Sequence, residues 1–329
     1  MMRAGKTVSV LLSLAILSGL GIGSYLPVTS EKLGGLIDTL VICLLALLFF
    51  EVRLYPLRVA SGHAGFLLLA WTANFVLIPV LGWGIASFLF DNQPMLFAGL
   101  LLYLLFPCTD WFLAFTRIAK GDVALGSILI PINLISQLLL FPFYLEFFIG
   151  SEKSSELVAI WGTLWQWFLL PLLAAVSLRF IIARVFPSSR FEFISRFTSS
   201  MVPWVLSALV CCIFSYHTPQ LTAHPNAFPL ILLAVFLFFA LSSILSELLA
   251  WRFKLSHPKH VLLAMTTTAR NSPLILGLAT IALPDQPLVY AGLIIGMLVE
   301  FPHLTLLSRL LLRKDAQAKP STTNPLTTR

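Results

Sequence analysis

Thr266-Thr267-Thr268-Ala269-Arg270-Asn271-Ser272-Pro273 interrupts an apolar run extending from about residue 261 to 283, near the middle of that run. A cation near the centre of a membrane-length helix costs about 2.5–3.5 kcal/mol on insertion scales. Proline removes a backbone donor as well, so the stretch predicts a break rather than a continuous helix. Ser272 reads as an N-cap and Pro273 as the first residue of a new helix. The half-helix starting there would aim free N–H groups and a positive dipole end at the break.

The rest of the chain supplies the apolar surroundings. Of its 329 residues 58% are hydrophobic and 11% charged, which excludes a soluble domain. The net charge of +7 is dispersed over short loops, a pattern of membrane topology rather than of nucleic-acid binding. Cys43, Cys108, Cys211 and Cys212 lie in apolar runs with neither disulfide nor zinc spacing, so no metal and no cofactor is expected.

Hydropathy predicts an all-α polytopic membrane protein with about ten spans, near 8–26, 36–50, 65–90, 95–116, 123–149, 157–183, 201–216, 228–250, 261–283 and 287–312. The first follows Arg3 and Lys6 much as a signal peptide would, but the helix count needs it. With both termini in the cytoplasm, only Lys32 and Lys153 of the 21 Lys and Arg fall outside, and Arg270 is intramembrane. One miscounted span would destroy that asymmetry. The expected setting is therefore the plasma membrane, with residues 314–329 as a disordered cytoplasmic tail.

Ten spans divide into two five-helix halves of opposite orientation, 1–150 and 151–313, the arithmetic of an inverted repeat. Span four carries Pro107-Cys108-Thr109-Asp110 where span nine carries the opening stretch, and paired interruptions of this kind point to a transporter binding site. Spans five and ten match likewise, the first with Pro131, Asn133 and Gln137 and the second with Glu300, Pro302 and His303. Cys108 lies nine residues before Arg117, Glu300 nine before Arg309, and Arg270 ten after His260. At a 1.5 Å rise all three sit about 14–15 Å from the inner boundary, at one depth.

An intramembrane carboxylate is costly enough to make Glu300 a proton-carrying candidate, although a structural pairing with Arg270 would also account for it. Arg270 is a candidate to hold an anionic substrate. A cysteine in an apolar helix is ordinarily a small packing residue. Cys108 is set apart by its place between Pro107 and Thr109-Asp110. Asn133 and Gln137 share one helix face, and Asn74 before Pro79 is a further supporting candidate.

At Pro107-Cys108-Thr109, Ala119-Lys120-Gly121-Asp122-Val123-Ala124-Leu125, Thr268-Ala269-Arg270-Asn271 and Glu300-Phe301-Pro302 the chain resembles the arsenite efflux permeases of the bile acid:sodium symporter superfamily. The resemblance implies a core and a panel domain, with discontinuous spans four and nine crossing at the substrate site. It also implies that Cys108 and Glu300 are the functional cysteine and glutamate. The substrate-binding set expected on this basis is Cys108, Thr109, Asp110, Arg270, Asn271 and Ser272. Glu300 is expected to couple protons, with Asn74, Pro107, Asn133, Gln137, Thr266 and Pro273 in support.

Two departures stand out. Asp110-Trp111 follows proline-cysteine-threonine where those permeases have small or apolar residues. Thr266 and Arg270 occupy the places where sodium-coupled relatives carry a glutamate and a glutamine, so protons are favoured over sodium. The expected function is proton-coupled efflux of an arsenite- or antimonite-type metalloid. The alternative is an organic-anion carrier, sodium-driven, with the anion on Arg270. No hydrolase or zinc-protease motif suggests an enzyme.

Overall fold

The computed structural model describes residues 2–51, 61–109, 111–149, 170–223 and 225–318. Arg53, Arg58, Asp110, Lys153, the first half of the sixth expected span (157–169) and residues 319–329 lie outside the described residues. Those described are almost entirely helical. The helices are α1 (Met2–Tyr25), α2 (Pro27–Gly34), α3 (Ile37–Glu51), α4 (Ala64–Phe90), α5 (Pro94–Leu105), α6 (Trp111–Ile118) and α7 (Val123–Ile149). They continue with α8 (Leu170–Val185), α9 (Ser188–Tyr216), α10 (Thr218–Thr222), α11 (Ala227–Arg252), α12 (His257–Thr268), α13 (Ser272–Ala282) and α14 (Pro287–Ala318).

Five of these helices are long and apolar enough to cross a bilayer: α4, α7, α9, α11 and α14. The pair α2–α3, bent by 44°, makes a sixth if it counts as one span. Ten spans were expected, and two of the differences have a direct physical cause. The fourth and ninth expected spans are each broken into halves of 12 and 8 or 12 and 11 residues, too short to cross singly. Two helices are longer than hydropathy suggests. α9 begins at Ser188 because its first turns are amphipathic, with Arg196 paired to Glu192 at 2.8 Å. α14 runs on through Lys314 to Ala318, into the stretch expected to be a disordered tail, and Lys314 is held by Glu247 at 2.7 Å.

The outer faces explain the environment. α11 exposes Leu233, Phe236, Ile244 and Leu248 along its length while burying Ala234, Val235, Phe238 and Phe239. Apolar exposure on that scale is untenable in water and ordinary against lipid. Two groups of helices result. α1, α2, α3, α8 and α9 pack on one another, and α4 to α7, α11, α12 and α14 surround the two breaks. α13 bridges them, touching α3 on one side and α14 on the other.

Close approach within the second group depends on Gly99 of α5. A Cβ there would lie 2.7 Å from the Val289 Cα and 2.9 Å from its carbonyl oxygen, with no flexible side chain to yield. Gly99→Ala is therefore expected to cost about 1–3 kcal/mol, the scale of an overpacked core. Gly65→Ala, which meets nothing within 4 Å, should leave the melting temperature in detergent unchanged or slightly raised.

Candidate functional site

α5 ends at Leu105 because Phe106 turns extended, with φ −110° and ψ 114°, ahead of Pro107. α12 ends at Thr268 and Ala269 is extended likewise, with φ −72° and ψ 137°. The two extended stretches pair antiparallel, Pro107 opposite Arg270. The Cys108 N–H donates to the Ala269 carbonyl and the Asn271 N–H to the Phe106 carbonyl, both at 3.0 Å. Backbone freed at a break inside a membrane protein must find partners there, and each break supplies the other's. The new helix α13 begins one residue earlier than expected, with Asn271 in the N-cap position but its side chain making no cap hydrogen bond, and Ser272 and Pro273 as its first helical residues. The reason lies across the break: the Asn271 amide donates to Thr109 Oγ1 at 3.2 Å and to Gln137 Oε1 at 3.4 Å, which holds the residue outside the helix.

Arg270 is fully buried, and its side chain folds back rather than reaching outward. Nη1 donates to the Leu104 carbonyl at 3.0 Å, and Nη2 to those of Thr266 and Thr267 at 3.0 and 2.6 Å. The guanidinium thus caps the C-terminal ends of both α5 and α12, where helix dipoles present negative charge. It also lies 5.5 Å from the centre of the Phe238 ring.

Glu300, 3% exposed, meets the same residue by its backbone: the Arg270 N–H donates to Oε1 at 3.0 Å. Tyr103 and Ser272 hydroxyls face Oε2 at 3.5 Å, the outer limit of a hydrogen bond. One peptide unit, Ala269–Arg270, therefore accepts from Cys108 through its carbonyl and donates to Glu300 through its N–H. Cys108 itself is fully buried.

The supporting residues converge from two more helices. Asn74 and Asn133 donate to Thr266 Oγ1 at 3.0 and 3.3 Å. Asn74 sits in a π-helical turn at 73–77 of α4, a local widening common at functional sites. Asn74 Oδ1, Asn133 Oδ1, Gln137 Nε2, Thr268 Oγ1 and Arg270 Nε remain without hydrogen-bond partners among the described residues.

Every expected site residue that the structure describes is thus at or beside the crossing. Asp110 lies outside the described residues. Tyr103 was not anticipated, because a tyrosine in an apolar helix is ordinarily packing. Its seat against α14 needs Gly296, whose Cβ would fall 2.6 Å from the Tyr103 ring. A tyrosine amid the leucines of α5 was the one available signal; the glycine it faces, nine residues beyond Pro287 in α14, is seen only in the structure.

A family model described as the sodium bile acid symporter family matches residues 39–223, a stretch containing the first break but neither the second nor Glu300. No curated protein matches the chain.

Proposed function

The chain belongs to the sodium bile acid symporter family, a family of membrane transporters, and on that premise we propose that it exports an arsenite- or antimonite-type metalloid in exchange for protons. It is a multi-pass integral membrane protein. In this reading it crosses the plasma membrane about ten times with both termini inside, as two inverted halves, 1–150 and 151–313. The breaks at the fourth and ninth spans support such a repeat, since they fall in equivalent helices and complete each other.

The observation that carries the reading is the peptide unit shared by Cys108 and Glu300. Arsenous acid is neutral at pH 7 and thiophilic. Attack by the Cys108 sulfur forms an As–S bond, and one arsenic hydroxyl leaves as water with the thiol proton. A single thiolate gives a reversible hold, as a carrier requires. The remaining hydroxyls have partners waiting, because unpaired polar atoms on Asn74, Asn133, Gln137 and Thr268 surround the crossing. Such orphans cost about 1–3 kcal/mol each until something pairs with them.

Protonation of Glu300 weakens the charge-assisted bond to the Arg270 N–H and reduces the polarisation of that peptide. The carbonyl facing Cys108 belongs to the same unit. Proton loading and metalloid release are therefore linked through one amide as access alternates.

The guanidinium of Arg270 argues against both features of the organic-anion alternative. Three of its five N–H donors are spent on carbonyls, so an anionic substrate would have only Nε–H and one Nη1–H left to it, too few for the usual paired grip on a carboxylate by both Nη groups. Those same carbonyl oxygens, the ligands a sodium ion would take, are already occupied by a tethered cation.

Everted membrane vesicles containing the wild-type protein should accumulate arsenite when the interior is made acidic. A protonophore should abolish the uptake, and replacing potassium by sodium should not change it. Uptake driven by a sodium gradient and indifferent to the protonophore would overturn the coupling.

A further inference from the structure

A polar cavity of about 360 Å³ lies at the far end of α13 from the crossing. Ten residues of helix separate Ser272 from this end, about 15 Å at 1.5 Å per residue, so the two sites share no side chain. Charge distribution along the chain puts the cavity on the extracytoplasmic side. Its walls come from both helix groups: Glu31, Asp38, Tyr216 and His217 from the first, Asp285 and Tyr290 from the second.

Three carboxylates around one cavity do not by themselves make a site. His217 adds a second observation. It is 3% exposed, lines the cavity, and its Nδ1 has no hydrogen-bond partner among the described residues. The ring is held edge-to-face between Tyr216 and Tyr290, with centroids 4.9 and 5.9 Å away. Tyr290 is fixed in turn by its hydroxyl, which donates to the Leu283 carbonyl at 2.6 Å. The imidazole is thus oriented, buried and unsatisfied. Burial holds its pKa below the ordinary histidine value although Asp285 opposes this, which favours the uncharged ring. Nδ1 is closed off from the cavity, and Nε2, in the tautomer with the proton on Nδ1, is the nitrogen that can accept a hydrogen bond there.

The ligand class follows from these groups. The rim is anionic and the imidazole is an acceptor, so the guest is a cation that donates hydrogen bonds. No group of three or more His, Cys, Asp or Glu among the described residues is close enough to hold a metal ion, which leaves a cation large enough to span the rim. Aromatic walls suit an organic ammonium. A quaternary ammonium has no N–H for His217, whereas a primary ammonium has three. The volume is at the small end of ligand pockets, fitting a short alkyl chain.

We propose that this cavity is a binding site for a small primary amine, of which a short alkyl diamine is the best fit, held between Glu31, Asp38, Asp285 and His217 at the seam of the two helix groups. The site is separate from the transported substrate's, and its existence does not depend on what that substrate is.

The test is calorimetric titration of the purified full-length protein in detergent with 1,4-diaminobutane, alongside its melting temperature. Saturable binding at one site is expected, with a rise in melting temperature because the ligand bridges both groups. Asp285→Asn and Asp38→Asn should each weaken binding by roughly tenfold or more. Asparagine tolerates the positive φ of 56° at residue 285, so that variant should fold normally. His217→Phe, which keeps the ring and removes the acceptor, should weaken binding likewise. Asp91→Asn, an exposed carboxylate elsewhere, should bind as wild type does. The proposal is overturned by unchanged affinity in the Asp38→Asn/Asp285→Asn double variant, by equal affinity for tetramethylammonium, or by no saturable binding up to about 10 mM.

Discussion

Everted vesicles carrying Cys108→Ala or Glu300→Gln are expected to show no arsenite uptake under an imposed proton gradient, while the protein remains present and folded in the membrane. The two losses have different causes, and one further measurement separates them. Cys108→Ala removes the one thiol among the described residues at the crossing, and with it the As–S bond. Glu300→Gln keeps the size of the side chain and removes the charge that changes with the proton. Arsenite should therefore still protect Cys108 from N-ethylmaleimide in Glu300→Gln, although transport has stopped. Undiminished uptake by Cys108→Ala would remove the thiol from the mechanism. Undiminished proton-driven uptake by Glu300→Gln would remove the carboxylate.

The second large effect is expected at Arg270. Arg270→Ala leaves the Leu104, Thr266 and Thr267 carbonyls without donors at the ends of two buried half-helices. It also strips the cation from the neighbourhood of Glu300. A loss of about 3–5 kcal/mol is the usual result of breaking such a buried charge arrangement. Thermal melting in detergent should register it as a large drop, with transport gone as well. Arg270→Lys should recover little, because an ammonium cannot present two separate nitrogens to carbonyls from different helices. Sodium gives the sharper measurement. The wild type should melt at the same temperature in sodium and potassium, whereas Arg270→Ala, left with three inward carbonyl oxygens, should be stabilised by sodium. If the variant melts as the wild type does, the capping role is wrong.

The breaks were legible because membrane helices exclude what they contain. Arg270, Asn271, Ser272 and Glu300 are costly where they occur, so their presence marked the crossing before any geometry. The expectation that Cys108, Arg270 and Glu300 share one depth came from counting residues to basic boundaries. What stayed hidden were the partners of Arg270, because those partners are backbone carbonyls and a carbonyl leaves no trace in residue identity. Aspartate or glutamate was the natural partner to look for, and the structure instead uses the Arg270 N–H for Glu300. Tyr103 was hidden for a related reason: what distinguishes it is the space above Gly296, which is a property of two helices and not of either sequence. The π-helical turn that turns Asn74 toward Thr266 has no signature in the residues at 73–77. The extra turns of α9 and α14 were missed because hydropathy ends a helix at its first charged turn, while ion pairs such as Lys314 with Glu247 let it continue.

The antiparallel pairing of Pro107 with Arg270 has a consequence for how this sequence can drift. Within a helix an inserted residue rotates its successors by about 100°, which a neighbouring helix can partly absorb. Extended backbone alternates sides with every residue, so one insertion between 106 and 109 would exchange the side chains facing inward for those facing away. It would also misalign the two hydrogen bonds by which each break satisfies the other. Substitution at these positions changes affinity or selectivity; a change of length removes the site. Across related chains, the number of residues in each break should therefore be held more strictly than their identities.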